Sequence, residues 1–150
     1  MAGAIQKEKL SFIGLDIGTD VAPFVREMSA PFRILAVDNE PSVAVSLKYV
    51  FAKPRFEVSS AESGPAALAM LDAPSNLYDL IIVDQKMPNL TGVELVDAIR
   101  KRGIPGNIIV LSAQISPEIR EAYERLNVQA IFPKPFDLNE LRTAVDHLAA

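Results

Sequence analysis

Four polar residues of the sequence each follow a short apolar run. The runs cover residues 34–37, 80–83, 108–111 and 130–132, and the polar residues are Asp38, Asp84, Ser112 and, after one proline, Lys134. Crowded carboxylates repel one another, and a hard divalent cation such as Mg²⁺ relieves that repulsion. A carboxylate can also attack a phosphoryl group to form an acyl phosphate, while an ammonium group and a hydroxyl bind the other phosphoryl oxygens. The residue types therefore indicate metal-assisted phosphoryl transfer to a carboxylate.

The apolar runs alternate with segments that have helical spacing. Four apolar stripes recur at this spacing: Val43, Leu47, Val50 and Phe51; Leu95, Val96 and Ile99; Ile119, Tyr123 and Leu126; and Leu138, Leu141, Val145 and Leu148. Helix start signals occur at Thr91 with Glu94, at Ser116 with Pro117 and at Asp137 with Glu140. Short strands that alternate with helices are typical of βαβ units and a parallel sheet.

Pro133 indicates the order of the strands, because proline has no N–H group for a central ladder and therefore favours an edge strand. The α/β order that places the fifth strand at an edge is the flavodoxin-like, doubly wound order 2-1-3-4-5. We predict a five-stranded parallel sheet with five helices. The second strand is predicted from Arg55 to Ser59, and the helix after it near Pro65 to Leu71.

In this strand order Asp38-Asn39-Glu40 and Asp84 face each other. Both segments follow neighbouring strands, at the carboxyl ends where open parallel sheets place their chemistry. The fold is therefore expected to assemble the groups that the phosphoryl chemistry needs.

The composition is that of one small domain with a core. The chain has 150 residues, of which 49% are hydrophobic, and it contains no cysteine, which excludes disulfides and thiolate metal sites. Its net charge of -4 argues against direct binding of nucleic acid by this segment. No apolar run approaches the roughly 20 residues of a membrane span, so we expect no membrane partner and a cytoplasmic location.

The order of acid, acid, hydroxyl and lysine at four strand ends resembles the receiver domain of two-component response regulators, the CheY-like superfamily. The resemblance covers residues 32–150. It implies Asp84 as the phosphoacceptor, Mg²⁺ (or Mn²⁺) as cofactor, and a role in switching rather than enzymatic turnover. It further implies that Ser112 and Lys134 contact the phosphoryl group beside the small Ala113, and that the Lys134-Pro135 peptide is cis.

By the same resemblance, the metal ligands are Asp38, Asn39, Asp84 and the main-chain carbonyl of Lys86, with Glu40 as a further candidate. Asn39 departs from the family pattern, because it brings an amide where a second aspartate is usual, and metal affinity should fall. Ile131 also departs from it, because this switch position often carries Tyr or Phe.

The receiver pattern assigns two more positions to the lifetime of the phosphorylated form. Lys86 and Gln114 lie two residues beyond the phosphoacceptor and the conserved hydroxyl, and flank the path of the hydrolytic water. A lysine there could shield the phosphoryl group, whereas a carboxamide could orient the water. Alternatively, Lys86 points to solvent and contributes only its carbonyl.

His147 is the only histidine of the sequence, and it is predicted to lie on the surface of the last helix. A histidine phosphodonor must therefore come from another protein, and the implied partners are a histidine kinase or phosphotransfer protein. A homodimer through the fourth helix, fifth strand and fifth helix is an alternative to a merely solvated face. Residues 1–31 lie outside the resemblance. They either contain a short amphipathic helix with Val21, Phe24, Val25 and Met28, or form a disordered extension.

Two other functions remain as alternatives. The first is a phosphorylation-independent interaction module of the same fold. The second is an enzyme or carrier, but a haloacid-dehalogenase-like phosphatase would need an aspartate at Lys86, and a flavin carrier would need a hydroxyl- and glycine-rich loop at Asn39-Glu40-Pro41.

Overall fold

The computed structural model describes residues 30–150, in which five β-strands alternate with five α-helices. In chain order the elements are β1 (Phe32–Val37), α1 (Pro41–Val50), β2 (Phe56–Ala61), α2 (Gly64–Asp72), β3 (Leu80–Asp84), α3 (Gly92–Lys101), β4 (Asn107–Ser112), α4 (Pro117–Arg125), β5 (Ala130–Pro133) and α5 (Leu138–Ala149). The helix predicted around Val21 to Met28 lies outside the described residues. Within them, no helix is both long and apolar enough to cross a membrane.

The five strands form one parallel sheet in the order β2-β1-β3-β4-β5. This order confirms the predicted fold. Pro133 ends β5, which lies at an edge of the sheet as its missing N–H group requires. The strand that carries Asp84 is central and pairs with β1 on one side and β4 on the other.

Helices cover both faces of the sheet, because successive strand residues point to opposite sides. In β3, Ile81 and Val83 pack in a core cluster with residues of α2, α3 and α4. Leu80 and Ile82 pack in a second cluster with residues of α1 and α5. All four residues are at most 1% exposed. Asp84 therefore follows directly after a fully buried stretch of the central strand.

The predicted helix starts are confirmed by hydrogen bonds. Thr91 and Glu94 form a reciprocal capping box at α3, and the Ser116 hydroxyl accepts a hydrogen bond from the N–H of Ile119 at α4. Asp137 caps α5 by accepting from the N–H groups of Asn139 and Glu140. These caps fix where the helices begin at the functional edge of the sheet.

Three predicted details are corrected. β2 begins at Phe56 and continues to Ala61, because the strand stays paired with β1 up to Val37. α2 begins one residue earlier and ends one later than predicted, since Ser63 caps it. Leu138 is 39% exposed instead of buried with its stripe, because it lies in the first turn of α5 beside a surface groove.

Candidate functional site

Two buried carboxylates meet at the carboxyl edge of the sheet. Asp38 follows β1, Asp84 ends β3, and the neighbouring strands place Val37 beside Val83 in register. The N–H of Asp38 donates to the carbonyl of Ala61, which holds this residue at the end of the strand. Asp38 and Asp84 are only 5% and 4% exposed, so their charges are largely removed from water.

The ammonium group of Lys134 lies between these carboxylates. Its Nζ is 2.9 Å from Oδ2 of Asp38 and 3.3 Å from Oδ1 of Asp84. Oε1 of the exposed Glu40 lies 3.5 Å from the same nitrogen, a contact that the sequence did not predict. Three acidic residues therefore share one cation.

The end of β5 places Lys134 over the pocket. Its N–H donates to the carbonyl of Ser112 over 2.8 Å, which joins it to the end of β4. The Lys134-Pro135 peptide is cis, as the resemblance implied. The three strand ends β1, β3 and β5 thus deliver the three charged groups to one place.

Burial and mutual charge govern the ionisation of the pocket. Burial, and after it the charge of Asp38, raises the pKa of Asp84, although Lys134 opposes this rise. Burial by itself would lower the pKa of Lys134, but the hydrogen bond to Asp38 and the charges of both aspartates outweigh it and raise that pKa. Lys134 is therefore a stable cation at neutral pH.

The donor groups fit a magnesium ion that retains part of its water shell. Within residues 30–150 no group of three or more His, Cys, Asp or Glu side chains is arranged to hold a metal. The predicted ligand Asn39 is an exposed amide, which leaves Asp38 and Asp84 as the buried carboxylates. Magnesium commonly binds through one or two carboxylates together with water and phosphate oxygens, so this pair is a sufficient protein contribution.

The loop after β3 curls around the Asp84 carboxylate. The N–H of Lys86 donates to Oδ1 of Asp84 over 3.4 Å, whereas the Lys86 side chain is exposed. Met87 is buried and anchors the loop in the core. The main chain of Lys86 therefore lies at the pocket, and its side chain is free to extend from the rim.

Ser112 is buried at the end of β4, but its hydroxyl is already engaged. Oγ donates to the carbonyl of Gln114 over 2.6 Å. Ala113 and Gln114 are exposed on the same rim. The structure thus brings Ser112 to the correct edge, with its proton directed toward the β4–α4 loop.

Tyr123 and Gln85 were not predicted to belong to the surroundings of the site. Tyr123 on α4 was expected only as part of an apolar stripe, yet its hydroxyl donates to the Gln85 side chain directly after Asp84. Burial first, and the charge of Asp84 second, raise the pKa of Tyr123 well above its usual value.

Ile131, the predicted switch position without an aromatic ring, is half-buried. It packs against the core cluster that contains Tyr123.

An open groove of about 570 Å³ adjoins the pocket. Its walls are the N-cap and first two turns of α1, the start of α5 and the loops after β4 and β5. The lining residues are Glu40, Ser42, Val43, Ser46, Ala113, Lys134, Pro135, Phe136 and Leu138. Lys134 belongs to both the groove and the acidic pocket. A molecule in the groove would therefore contact Lys134, which pairs with both carboxylates.

Fold and pocket together define an α/β domain with a buried acidic pocket at the switch point of its sheet. The family model described as "Response regulator receiver domain" matches residues 34–146. The chain belongs to this family, as its sequence predicted, and hence to two-component signalling proteins.

Known relatives agree with this assignment. The chain is 34% identical over 111 residues to response regulator MprA of Mycobacterium sp. (strain KMS). This alignment covers 74% of this chain and 47% of MprA. It is 27% identical over 113 residues to sporulation initiation phosphotransferase F of Bacillus subtilis, with coverages of 75% and 90%. The receiver domain of Francisella response regulator 1452 superposes on this structure with a TM-score of 0.70 at 30% identity. The superposition covers 78% of this chain and 95% of the Francisella chain.

Several matched relatives are much longer than the matched region. The chain spans about half the length of MprA and 19% of a putative transcriptional regulator of Haloferax volcanii.

Proposed function

We propose that this receiver takes a phosphoryl group from a histidine kinase or phosphotransfer protein onto Asp84 and changes conformation in response. The observation that carries this proposal is the Lys134 ammonium, which lies 2.9 Å and 3.3 Å from two buried carboxylates at the end of a central strand. The cation proposed for the phosphoryl oxygens thus contacts both the carboxylate proposed as nucleophile and the carboxylate proposed for the metal.

Asp38, Asp84 and the carbonyl of Lys86 would hold Mg²⁺, or Mn²⁺ in its place, and Asn39 and Glu40 stand next to this set. When bound, the metal would supply positive charge that neutralises the transferring phosphoryl group. The position of Lys134 between the carboxylates supports this role, because it marks where cationic charge is most favourable.

The transfer forms one bond and breaks another. An oxygen of the Asp84 carboxylate bonds to phosphorus while the phosphorus–nitrogen bond of the donor phosphohistidine breaks, and its electron pair leaves with the imidazole. Lys134 then contacts the phosphoryl oxygens, and Ser112 can donate to another once its hydroxyl turns from Gln114, beside the small side chain of Ala113. The protein assists only its own phosphorylation and dephosphorylation.

The groove beside Lys134 is the proposed approach for the phosphodonor. Three of its lining residues, Ser42, Val43 and Ser46, belong to α1. Outside the groove lining, the same helix carries Val45 and Tyr49, large apolar residues that are 67% and 87% exposed. Such exposed apolar side chains favour contact with a partner protein. The donor imidazole would then reach Asp84 past the Lys134 side chain.

A phosphorylation-independent interaction module is the second candidate. One observation favours it: Lys134 already balances one of the two negative charges of the buried acidic pair, and Asn39 adds no charge to a metal site. In that case the same groove would bind a partner without phosphoryl transfer.

Labelling with radioactive acetyl phosphate separates the two candidates. The proposal predicts that the chain becomes labelled when Mg²⁺ is present and stays unlabelled in excess EDTA. A chain that takes up no label with Mg²⁺ or Mn²⁺, from acetyl phosphate or a phosphorylated kinase, would support the interaction module instead.

A further inference from the structure

Tyr123 is a buried phenol that joins α4 to the end of β3. Its side chain is 0% exposed, and its hydroxyl donates to Oε1 of Gln85, the residue directly after Asp84. A buried hydroxyl without a partner costs roughly 1–3 kcal/mol, so this hydrogen bond constrains both residues.

Gln85 is connected to three elements at once. Its N–H donates to the carbonyl of Leu111 in β4 over 3.0 Å, and its carbonyl accepts from the N–H of Gly92 in α3 over 2.9 Å. Its side chain bonds to Tyr123 in α4. The residue directly after Asp84 is thus hydrogen-bonded to α3, α4 and β4.

Gly92 leaves the space in which this contact is made. A Cβ atom at this position would lie 2.8 Å from Cα of Gln85 and 2.9 Å from the carbonyl oxygen of Asp84, and it would also overlap the Tyr123 hydroxyl. Only glycine therefore fits at position 92, where α3 begins between the Tyr123 hydroxyl and the main chain of Asp84 and Gln85.

We propose that Tyr123 is a positioning residue that couples the state of Asp84 to helix α4 through the side chain of Gln85. The proposal rests on phosphorylation at Asp84, which adds about one negative charge and three oxygens next to Gln85. Movement of Gln85 deprives the buried Tyr123 hydroxyl of its acceptor. The phenol then takes another acceptor or α4 shifts, and either response carries the signal to the exposed side of that helix.

The hydroxyl remains a hydrogen-bond donor throughout this change, because its pKa is raised by burial and by Asp84. The exposed face of α4 carries charged side chains, namely Glu118, Arg120, Glu121, Glu124 and Arg125. A small shift of the helix would displace this charge pattern, which a partner protein could recognise.

Ring-¹³C-labelled tyrosine provides a direct test, since the chain has three tyrosines. Tyr78 is the matched internal control: it is also buried, but it precedes β3 at the opposite edge and lies under the Arg33 guanidinium at 4.7 Å. With acetyl phosphate and Mg²⁺, we expect the ring signals of Tyr123 to shift in proportion to the phosphorylated fraction and those of Tyr78 to stay unchanged. Unshifted Tyr123 signals in a fully phosphorylated chain would overturn the proposal.

The variant Tyr123→Phe keeps the ring and removes only the hydroxyl, with Tyr78→Phe as control. We expect both variants to be phosphorylated to the parent level. In the parent and Tyr78→Phe, hydrogen exchange of the amides in α4 should change on phosphorylation, and in Tyr123→Phe most of this change should be lost. An undiminished change in Tyr123→Phe would refute the coupling role. Absence of any phosphorylation in the parent would instead refute the function on which the coupling rests.

Discussion

Asn39 places a neutral amide next to the buried carboxylate of Asp38. A formal charge near a divalent ion is worth on the order of a few kcal/mol at an effective dielectric near 20, before desolvation is subtracted. We therefore predict that Asn39→Asp tightens Mg²⁺ binding several-fold. The measurement is a magnesium titration of both proteins, followed by calorimetry or by amide chemical shifts.

The matched control for this change is Asn127→Asp. Asn127 is exposed and follows α4, at the opposite edge of the sheet. The variant Asn127→Asp therefore adds the same charge to the whole chain without adding it to the pocket. Equal tightening in both variants would show a general effect of net charge, and no tightening in Asn39→Asp would mean that Glu40 or solvent already supplies the missing charge.

The exposed side chain of Lys86 is predicted to prolong the phosphorylated state. Its main chain contacts Asp84, so its ammonium group can reach the phosphoryl oxygens and obstruct the attacking water. A charge-assisted contact is roughly twice as strong as a neutral one, so this shielding should outweigh orientation of the water by Gln114. We predict that Lys86→Ala shortens the half-life of the phosphorylated form.

Dephosphorylation is followed after removal of the donor, with Lys101→Ala as the control. Lys101 is equally a surface lysine, but it ends α3 and pairs with Asp97 at 2.8 Å, away from the pocket. A half-life in Lys86→Ala that equals or exceeds that of the parent would contradict the shielding.

At the scale of single residues, the sequence predicted where side chains leave the backbone but not how they pair. The strand-end positions of Asp38, Asp84 and Lys134 followed from apolar runs and their order. The hydrogen bond from Tyr123 to Gln85 did not, because it joins residues 38 positions apart through side-chain rotamers. Tyr123 looked like any apolar residue of its stripe, and a paired hydroxyl has no signature in spacing.

Helix α3 begins at the functional edge of the sheet and depends on its capping box. The Thr91 hydroxyl accepts from the N–H of Glu94, and the Glu94 carboxylate accepts from the N–H of Thr91. Loss of such a cap costs about 0.5–2 kcal/mol. We predict that Thr91→Ala lowers the free energy of unfolding in urea by this amount.

Thr143→Ala is the control for the cap, because Thr143 is exposed and its hydroxyl donates only to the carbonyl of Asn139 within α5. It should change the free energy of unfolding by at most a few tenths of a kcal/mol, as an exposed surface substitution does. If Thr91→Ala has the same free energy of unfolding as Thr143→Ala, tertiary packing and not the capping box fixes the start of α3.

At the scale of elements, capped helices were predicted more accurately than the strand β2. Thr91, Ser116 and Asp137 are local signals that act within one turn, so the sequence contains them directly. The end of β2 at Ala61 depends instead on pairing with β1, a distant segment. Ser59 and Ser60 look like the end of a strand, yet both are only half-buried and remain in the ladder.

The whole-molecule order of the sheet was predictable because one proline and four strand-end residues restricted it. The groove between α1 and α5 was not, since its shape depends on how the first turns of these helices pack. Two statements remain predictions. One is the division of the chain into an extension, residues 1–31, and a receiver, residues 32–150. The other is a homodimer through α4, β5 and α5.

The groove yields a prediction about the phosphodonor. Ser46 is exposed on its wall, and Ser46→Arg should block a protein donor while leaving the carboxylates open to small molecules. We predict a reduced rate of transfer from a purified histidine kinase that labels the parent, with unchanged labelling by acetyl phosphate. Ser75→Arg, in the exposed loop before β3, is the control; equal effects of both variants on the kinase reaction would exclude the groove as the docking site.

Asp84 is the proposed phosphoacceptor, and the intact mass of the chain after incubation with acetyl phosphate and Mg²⁺ tests this role. The parent and the control Asp72→Asn, which changes an exposed aspartate at the end of α2, should each gain the mass of one phosphoryl group. Hydroxylamine should remove it, as it does from an acyl phosphate, and Asp84→Asn should gain none. If Asp84→Asn gains the phosphoryl mass as efficiently as the parent, the phosphoacceptor is another residue and the proposed role of Asp84 is wrong.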